Sequence, residues 1–383
     1  SATVRINAST SDFESRSVRA GVLRTGAVAR DIGGGQLNLD LPLASGRFLP
    51  LLGSLSANGN VELQRLSDVG ALTSWGAGLT WTPVRALNLV ASVTDEQGAP
   101  TAQQLGNPVI VTPGLRVFDL VNNRDAIVTQ VSGGNPDLRA DDRRVWKLAA
   151  TIRPLGERTD LSLVATYTNS VTRSAIGNLS FPTAQIQAAF PDRFVRDGAG
   201  DLIAIDTRPV NFARERREQL RWGVNFSKRI ADSTGERFRA LAAAGRLPFP
   251  APGRGGGGGS GRGQGGGGAF GGPGGGGRLQ FALYHNWTLR NDVLVREGAP
   301  LIDLLEGGAI GRGGGVARHQ VEAQAGLTRN GLGLRLSATW TGGSRVDAAS
   351  GRSEDRLRFG DLMTANLRLF ANFGAMPELV VAN

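Results

Sequence analysis

The stretch that decides the fold class is residues 318–341, which read RHQVEAQAGLTRNGLGLRLSATWT. On both sides of the central Asn330-Gly331, apolar side chains recur at every second position. A period of two is the spacing of a strand that has one apolar face. Asn-Gly between two such runs favours a two-residue hairpin turn. The stretch therefore predicts two antiparallel strands joined by a tight turn.

The same alternation continues along the chain and predicts about thirteen strands, most of them near the roughly 9–11 residues that a tilted strand needs to cross a bilayer. The predicted strands are 1–8, 15–24, 36–43, 55–66, 71–82, 86–94, 143–153, 159–171, 214–228, 278–290, 318–328, 332–341 and 358–370. A helical pattern runs from Glu236 to Arg246, with Gly245 near its end.

Connections of two lengths alternate between these strands. Short turns are predicted at 83–85, 154–158 and 330–331, and the long connections are 95–142, 172–213, 291–317 and 342–357. Short turns on one side and long loops on the other are typical of a transmembrane β-barrel. The connection 229–277 departs from this rule, because its part 253–277 holds 18 Gly and is predicted to be a flexible tether.

Composition narrows the range of functions. The chain has 383 residues, no Cys and only two His, His285 and His319, which we expect to be wall residues. Disulfides and thiolate chemistry are therefore excluded, and no metal or cofactor site is predicted. No G-x-S-x-G or H-E-x-x-H motif occurs, so the protein is predicted not to be an enzyme. No run of about 18 apolar residues predicts a transmembrane helix.

The basic composition raises nucleic-acid binding as an alternative. The net charge is +10 and the sequence pI is about 11.2. Arg254 and Arg262 in the Gly-rich tract resemble a sparse RGG segment, but Phe270 is its only aromatic residue. Binding of single strands relies on repeated aromatic platforms, so no nucleic-acid partner is predicted.

Several polar segments have two readings. A turn is predicted at Asp197–Gly200, between strand-like 194–196 and 202–204. A calcium loop is the alternative, with the acidic side chains Asp192, Asp197, Asp201 and Asp206, whose spacing does not match the twelve-residue calcium pattern. The run 141–144 (Asp-Asp-Arg-Arg) is interpreted as a solvated strand end, with binding of lipopolysaccharide phosphates as the alternative.

Two aromatic and turn motifs carry a family resemblance. Trp81-Thr82-Pro83 leads into a strand, and Gly133-Gly134-Asn135-Pro136-Asp137-Leu138 ends a long loop. Together they resemble the W-x-P turn and the G-N-P-x-L loop signature of TonB-dependent outer-membrane receptors. Residues 192–197 and 208–212 are similar to loop segments of the same receptors. We take Trp81, Pro83, Asn135, Pro136 and Leu138 as structural motif residues, with the Asn135 turn setting the next strand.

A further expectation concerns the tryptophans near predicted strand ends, Trp81, Trp146, Trp287 and Trp340. They are interpreted as an aromatic girdle at the membrane interfaces, and ordinary sheet packing is the alternative.

The resemblance implies an all-β fold, an antiparallel transmembrane β-barrel of 22 strands filled by an N-terminal plug. Residues 1–383 then form part of one barrel domain, with about 13 of the strands and without the plug. The four long connections become extracellular loops. The expected location is the outer membrane of a Gram-negative cell.

The implied partners are outer-membrane lipid and lipopolysaccharide, the plug and the remaining strands on the same or another chain, and TonB through the missing N-terminal region. The implied function is import of a scarce ligand such as a siderophore, a vitamin or an oligomer. Ligand-binding residues are left unassigned. A passive or adhesive barrel is the alternative.

Overall fold

A computed structural model describes residues 1–19, 21–44, 53–119, 121–122, 124–154, 159–179, 184–230, 234–245, 277–310, 315–347, 357–372 and 376. The strands are β1 (Ala2–Arg19), β2 (Val22–Ala44), β3 (Ser54–Leu66), β4 (Gly70–Val84), β5 (Leu87–Gly98), β6 (Ile110–Asp119), β7 (Arg124–Ser132), β8 (Asp141–Ile152), β9 (Thr159–Gly177), β10 (Phe194–Arg196), β11 (Leu202–Asp206), β12 (Val210–Ile230), β13 (Gly277–Leu294), β14 (Ile302–Asp303), β15 (His319–Arg329), β16 (Leu332–Thr341), β17 (Ser344–Val346), β18 (Leu357–Phe359) and β19 (Leu362–Ala371). The helices are α1 (Ala102–Gly106), α2 (Ala184–Ala189), α3 (Thr234–Ala243) and a 3₁₀ turn at Pro191–Arg193.

Twelve strands form one continuous antiparallel sheet, here called the wall sheet. Their order is β1-β2-β3-β4-β5-β8-β9-β12-β13-β15-β16-β19, and the short β14 pairs with β13. Within the described residues the sheet is open, with β1 and β19 at its two ends. The predicted all-β antiparallel fold is confirmed. Among those residues no helix is long and apolar enough to span a membrane.

The strand count differs from the prediction at the N-terminus. Residues 1–8 and 15–24 were predicted as separate strands, but β1 runs through both as far as Arg19. The polar residues between them pair with β2, where Thr10 faces Asp31 and donates a 2.8 Å hydrogen bond to its carboxylate. The chain turns at Gly21, whose φ of +78° favours glycine. A polar run was therefore mistaken for a break between strands.

The wall sheet has one face with an apolar belt, here called the belt face. In an antiparallel sheet, residues directly opposite each other have side chains on the same face. Leu79 faces Ala91, Ala91 faces Leu148 and Leu148 faces Tyr167. The same row continues through the later strands, as where Leu336 faces Leu367.

The belt is exposed over its whole width. The exposed apolar side chains include Leu37, Leu39, Leu41, Leu63, Leu79, Leu148, Phe281, Leu327, Leu334, Leu336, Leu367 and Leu369. The buried apolar cluster of the described chain lies elsewhere, in the segments between wall strands and at the loop-side ends of β12 and β13. Among the described residues, therefore, neither a second sheet nor a helix layer covers the Leu-rich rows.

The opposite face, here called the polar face, carries the alternating polar residues. Ser92 faces Lys147, and Lys147 faces Thr168. Near one edge of the sheet this face forms a groove of 400 Å³. Its polar lining residues include Asn60, Glu62, Gln64, Glu96, Asp141 and Arg143.

Most connections at the two edges of the wall sheet differ in length; the exceptions include the short turn 67–69 between β3 and β4 and the long connection between β12 and β13. At one edge, here called the turn edge, β15 and β16 are joined by Asn330 and Gly331, with φ of +51° and +80°. The predicted short turn is therefore a type I′ hairpin turn, in which both loop residues have a positive φ. The opposite edge is here called the loop edge. At this edge the long connections join β5 to β8, β9 to β12, β13 to β15 and β16 to β19.

The first predicted short turn is displaced. Pro83 and Val84 belong to β4, and the turn occupies 85–86. Proline lacks the N–H that a ladder requires, and the pairing of β4 with β5 shifts register between Trp81 and Val84. A bulge in the strand accommodates the proline. Of the turn predicted at 154–158, residues 155–158 lie outside the described part of the chain.

Three other predictions agree with the structure only in part. The predicted helix from Glu236 to Arg246 overlaps α3, and Arg246 lies outside the described residues. The strand predicted at 358–370 is divided into β18 and β19 at Gly360-Asp361, where the Asp361 carboxylate accepts a 2.7 Å bond from Gly343 N–H. In the tract 253–277, Gly277 begins β13 and the other residues lie outside the described part.

The hairpin β1–β2 projects beyond the wall. β2 pairs with β3 only from Ile32 onward, so residues 22–31 pair with β1 alone. Ten strand residues span about 33 Å. The projecting part lies against α1, because a side chain at Gly26 would overlap the carbonyl oxygen of Gly106. Arg19 donates a 2.8 Å bond to the Thr112 hydroxyl in β6.

Candidate functional site: the loop subdomain

A second sheet lies at the loop edge and joins two of the long connections. Its order is β10-β11-β7-β6. β6 and β7 come from the connection between β5 and β8, and β10 and β11 come from the one between β9 and β12. β11 and β7 pair in parallel, with Ala204 opposite Thr129. We call this sheet, α2 and the segments packed on it the loop subdomain.

The subdomain has the only buried apolar cluster found in the described residues. Its members are Val128, Leu179, Ile186, Ala189, Phe190, Phe194, Leu202, Ile205, Val210, Phe212, Val293, Val295 and Ile302. They come from three connections and from the upper ends of β12 and β13. The four long connections were predicted as loops, so the strands β6 and β7 were missed.

A signal for the missed strands was present in the sequence. Leu115 and Val117 alternate in β6, and Ala126 and Val128 alternate in β7. The second hairpin was predicted and is confirmed, because β10 and β11 are antiparallel. Its turn is closed by Asp197, whose carbonyl accepts from Gly200 N–H at 3.0 Å.

A buried ion pair ties β6 to β10. Arg196 donates to the two carboxylate oxygens of Asp119 at 2.7 and 2.8 Å and to the Gln187 side chain at 2.6 Å. Asp119 is 1% exposed. The hydrogen bond from Arg196 holds the pKa of Asp119 below its ordinary value, against the opposing effect of burial. A two-pronged pair of this kind fixes geometry as well as charge.

A second carboxylate, Asp206, is held between two arginines at the end of β11. Arg193 donates to it at 2.6 Å, and Arg208 donates through Nη2 at 2.7 Å. Burial raises the pKa of Asp206, but the hydrogen bonds from Arg208 and the charge of Arg193 outweigh it and leave the pKa below its ordinary value.

The predicted motif around Asn135 lies at the base of the subdomain. Asn135 is 4% exposed, and its Nδ2 donates to the Pro209 carbonyl at 2.9 Å. Its Oδ1 accepts from Asp137 N–H at 3.1 Å, which closes the turn at Pro136-Asp137. Leu138 is buried beside it. The asparagine therefore joins the two connections that carry the second sheet.

A second asparagine, which the motif reading missed, completes this junction. Asn211 Oδ1 accepts from Arg139 N–H at 2.9 Å. Its Nδ2 donates to the carbonyls of Arg139 at 2.9 Å and Ser174 at 2.6 Å. Asn211 lies in the segment 208–212, which is similar to receptor loops, but the sequence did not predict that its side chain would join the two connections.

The structure does not bring the motif residues into one site. Trp81 and Pro83 lie near the turn edge in β4, and the Asn135 group lies at the loop edge. Among the tryptophans, Trp81 and Trp340 lie near strand ends. Trp146 and Trp287 lie inside β8 and β13, because these strands continue past the apolar belt.

The four aspartates of the calcium alternative have separate roles. Asp197 caps its own turn, Asp201 pairs with Arg124 and Asp206 pairs with two arginines. Asp192 lies 3.9 Å from Arg193. In the part of the chain that the structure describes, no cluster of three or more His, Cys, Asp or Glu could hold a metal ion.

The two histidines lie next to each other on the belt face. His285 Nε2 and His319 Nδ1 are 3.1 Å apart, with Trp222 and Trp287 against the two rings. His285 is opposite Trp222 in the strand register. The expectation that both histidines are wall residues agrees with these positions in β13 and β15.

Comparison with solved structures identifies proteins with a similar fold. A variant of the ferric enterobactin receptor PfeA from Pseudomonas aeruginosa superimposes with a TM-score of 0.54 at 13% identity, over 96% of this chain and 43% of that one. A second PfeA variant gives 0.52 at 12% identity, over the same shares. The siderophore receptor PirA from Acinetobacter baumannii gives 0.46 at 9% identity, over 97% and 49%.

The chain thus spans less than half the length of the receptors it resembles. No protein-family model and no curated protein matches it. The fold is all-β, an antiparallel sheet that superimposes on part of the barrel of these outer-membrane receptors, and the predicted resemblance to TonB-dependent receptors is confirmed at the level of the fold. The two similar structures with TM-scores above 0.5 are both described as receptors.

Proposed function

We propose that the chain is part of a TonB-dependent receptor that imports a scarce ligand across the outer membrane. The observation that carries the proposal is the division of the chain into an exposed apolar belt and a folded subdomain at one edge. On β12 the apolar belt runs about 20 Å along the strand, from Leu220 to Phe226, and outer-membrane barrels carry an outward-facing apolar band of this kind.

The location follows from the same division. Exposed leucines on most of the wall strands, such as Leu37, Leu148 and Leu367, are unfavourable in water and favourable in hydrocarbon. The polar face then lines an interior, and further strands pair with the open ends of the sheet, because unpaired backbone groups are not tolerated in lipid. In this proposal the plug fills that interior and TonB acts through it.

The orientation places the loop subdomain outside the cell. Long loops of outer-membrane barrels lie on the extracellular side and short turns on the periplasmic side. The four long connections, 95–142, 172–213, 291–317 and 342–357, then face the ligand. The subdomain is the part that first meets it. A siderophore-like ligand is supported by the names of the similar structures, and a vitamin or an oligomer is what the family resemblance also implies.

The test has two stages. The first is fractionation of cells that express the full-length protein, with electrophoresis before and after heating. We expect the protein in the outer membrane, with a shift of mobility on heating. The second is growth on limiting iron or cobalamin after deletion of the gene and of TonB.

We expect both deletions to impair growth on the same nutrient. A soluble, heat-insensitive protein contradicts the barrel. A heat-modifiable protein whose deletion has no TonB-dependent growth defect supports the passive or adhesive barrel instead.

A further inference from the structure

We propose that His285 and His319 together bind one copper(II) ion on the belt face of the wall sheet. His285 lies in β13, and His319 is the first residue of β15. The sequence has no Cys and no other His, so the pair brings all of its imidazole groups together. This site is separate from the loop subdomain, and the inference does not depend on the ligand that the receptor imports.

The strand register holds the two rings side by side. Trp287 faces His319, and His285 faces Val321, so the two histidines are diagonal neighbours on one face of adjacent antiparallel strands. Side chains at diagonal positions reach each other when they are long or aromatic. Both positions belong to a regular ladder, so the backbone limits how far apart the rings can move.

The distance between the ring nitrogens suits two ligands of one ion. His285 Nε2 and His319 Nδ1 are 3.1 Å apart. With metal–nitrogen bonds of about 2.0–2.1 Å, this separation corresponds to an angle of about 100° at the metal. The ring planes are inclined by 16°, and rotation about the side-chain bonds turns both lone pairs towards a shared ion. The metal then replaces the proton that one ring donates to the other.

The choice of metal follows from the small number of protein ligands. Among divalent first-row ions, copper(II) binds a given set of nitrogen ligands most tightly. Imidazole suits this ion, and its tetragonal geometry leaves the remaining positions to water. Calcium and magnesium prefer oxygen ligands, which the two rings do not provide. A site of two imidazoles is therefore expected to select copper(II) over zinc and nickel.

Two tryptophans hold the pair and leave it accessible. The ring of Trp222 lies edge-on to His285, with the ring centres 5.5 Å apart. Trp287 stacks on His319 at 5.7 Å. Both histidines are half-buried, and the two tryptophans are 42% and 37% exposed. The aromatic neighbours therefore restrict the rings, and an ion can still reach them from outside the sheet.

A bound ion would also fasten the start of β15 to β13. Arg318, which precedes His319, accepts from Thr288 N–H through its carbonyl at 2.8 Å and donates to Glu306 at 2.7 Å. The connection 291–317 returns to the wall at this point. An ion that binds only the folded state raises its stability, so copper(II) is expected to raise the temperature at which heat-modifiability is lost.

The test uses the full-length protein in detergent, expressed without a polyhistidine tag. Copper(II) chloride is added while tryptophan fluorescence is recorded, because a bound copper(II) ion quenches indoles close to it. We expect saturable quenching and an electron paramagnetic resonance spectrum that shows coupling to two nitrogens. His285→Gln and His319→Gln should each weaken binding about tenfold or more, since even the loss of an outer partner of a metal ligand costs about 10–100-fold in affinity.

A matched variant controls for changes in the strand itself. Gln320 neighbours His319 in β15 but points to the polar face, where it faces Asn286 and Thr341. Gln320→Ala is expected to bind copper(II) as the native protein does. All variants are compared only if they remain heat-modifiable. Zinc and nickel chlorides are expected to bind the native protein more weakly than copper(II) chloride.

Four results overturn the proposal. They are no binding of copper(II) by the native protein, which leaves a hydrogen-bonded histidine pair only; unchanged binding in the variant that lacks both histidines; unchanged binding in either single variant; and tighter binding of zinc or nickel. Any of these in a heat-modifiable protein whose deletion impairs TonB-dependent growth refutes the metal site alone. A protein that is not in the outer membrane refutes the proposed function.

Discussion

The wall sheet and the loop subdomain have similar alternating sequences, but their apolar side chains are exposed in the wall sheet and buried in the subdomain. Leu334 and Leu336 of the wall are about 40% exposed, whereas Val128 and Phe212 of the subdomain are 1% exposed. Alternation therefore identifies a strand but not what its apolar face meets. What decides is whether the connections supply enough apolar partners to cover that face, and within the described residues the subdomain alone has them.

The largest test of this contrast is truncation of a buried aromatic residue. Phe212→Ala is expected to lower the local stability of the subdomain by about 3–5 kcal/mol. Phe212 is packed in the buried cluster, and its ring lies 6.4 Å from the ring of Phe190. Hydrogen exchange of amides in β7 and β11 measures this loss. Phe281→Ala on the belt is the control, since Phe281 is 42% exposed. Equal loss of protection in both variants argues against a separately packed subdomain.

The second test breaks the buried ion pair. Arg196→Met leaves the Asp119 carboxylate buried without its partner and is expected to destabilise the subdomain by about 3 kcal/mol. Limited proteolysis of the connections reports the opening. Arg116→Met is the matched control, because Arg116 lies 3.7 Å from Asp125 in an exposed pair. A similar effect of the two substitutions shows that burial of the pair is unimportant.

Acid should affect the subdomain before the wall. Asp119 and Asp206 have pKa values below the ordinary value of a carboxyl group. Their stabilisation is complete above about pH 4, the unfolded value, and is lost as the pH falls towards the lowered values. Proteolysis of the connections at decreasing pH, with heat-modifiability measured in parallel, checks this order. In Arg196→Met the dependence of proteolysis on pH should be weaker. An unchanged pH dependence in this variant excludes Asp119 as its source.

A smaller effect is expected at the junction between the two connections. Asn135→Ala removes the donor to Pro209 and the acceptor for Asp137, at a cost of about 1–2 kcal/mol. Hydrogen exchange at Asp137 and in β11 measures it. Asn122→Ala is the control, since Asn122 makes one exposed bond to Gly200. No difference between the variants means that the junction does not hold the subdomain.

The smallest expected effect lies in the wall. Gly331 has a φ of +80°, so Gly331→Ala should cost about 1 kcal/mol and lower the temperature at which the protein loses its folded mobility. Gly33→Ala is the control, because a side chain there meets no neighbour within 4 Å. If Gly33→Ala is the more harmful, backbone strain at the turn is not the cause.

The sequence allowed prediction of the wall but only part of the subdomain. Period-two rows such as that from Leu332 to Ala338 are local, and the Asn330-Gly331 turn has a specific backbone requirement. The parallel pairing of β7 with β11 depends on residues far apart, for which a single sequence holds no local pattern. The Asn135 turn was predicted, but its bond to Pro209 depends on that pairing. The pairing of Arg196 with Asp119, which are 77 positions apart, was invisible for the same reason.

The parallel pairing of β7 with β11 also sets an order of assembly. Thr207 bonds to Val131 across 76 positions of the chain, and the wall strands β8 and β9 lie between them. Contacts between distant residues form slowly, since the intervening chain must first be confined. The subdomain can therefore be completed only after β8 and β9 have returned the chain to the loop edge. Binding of an antibody that recognises the paired strands β7 and β11 would then report that β8 and β9 have already folded.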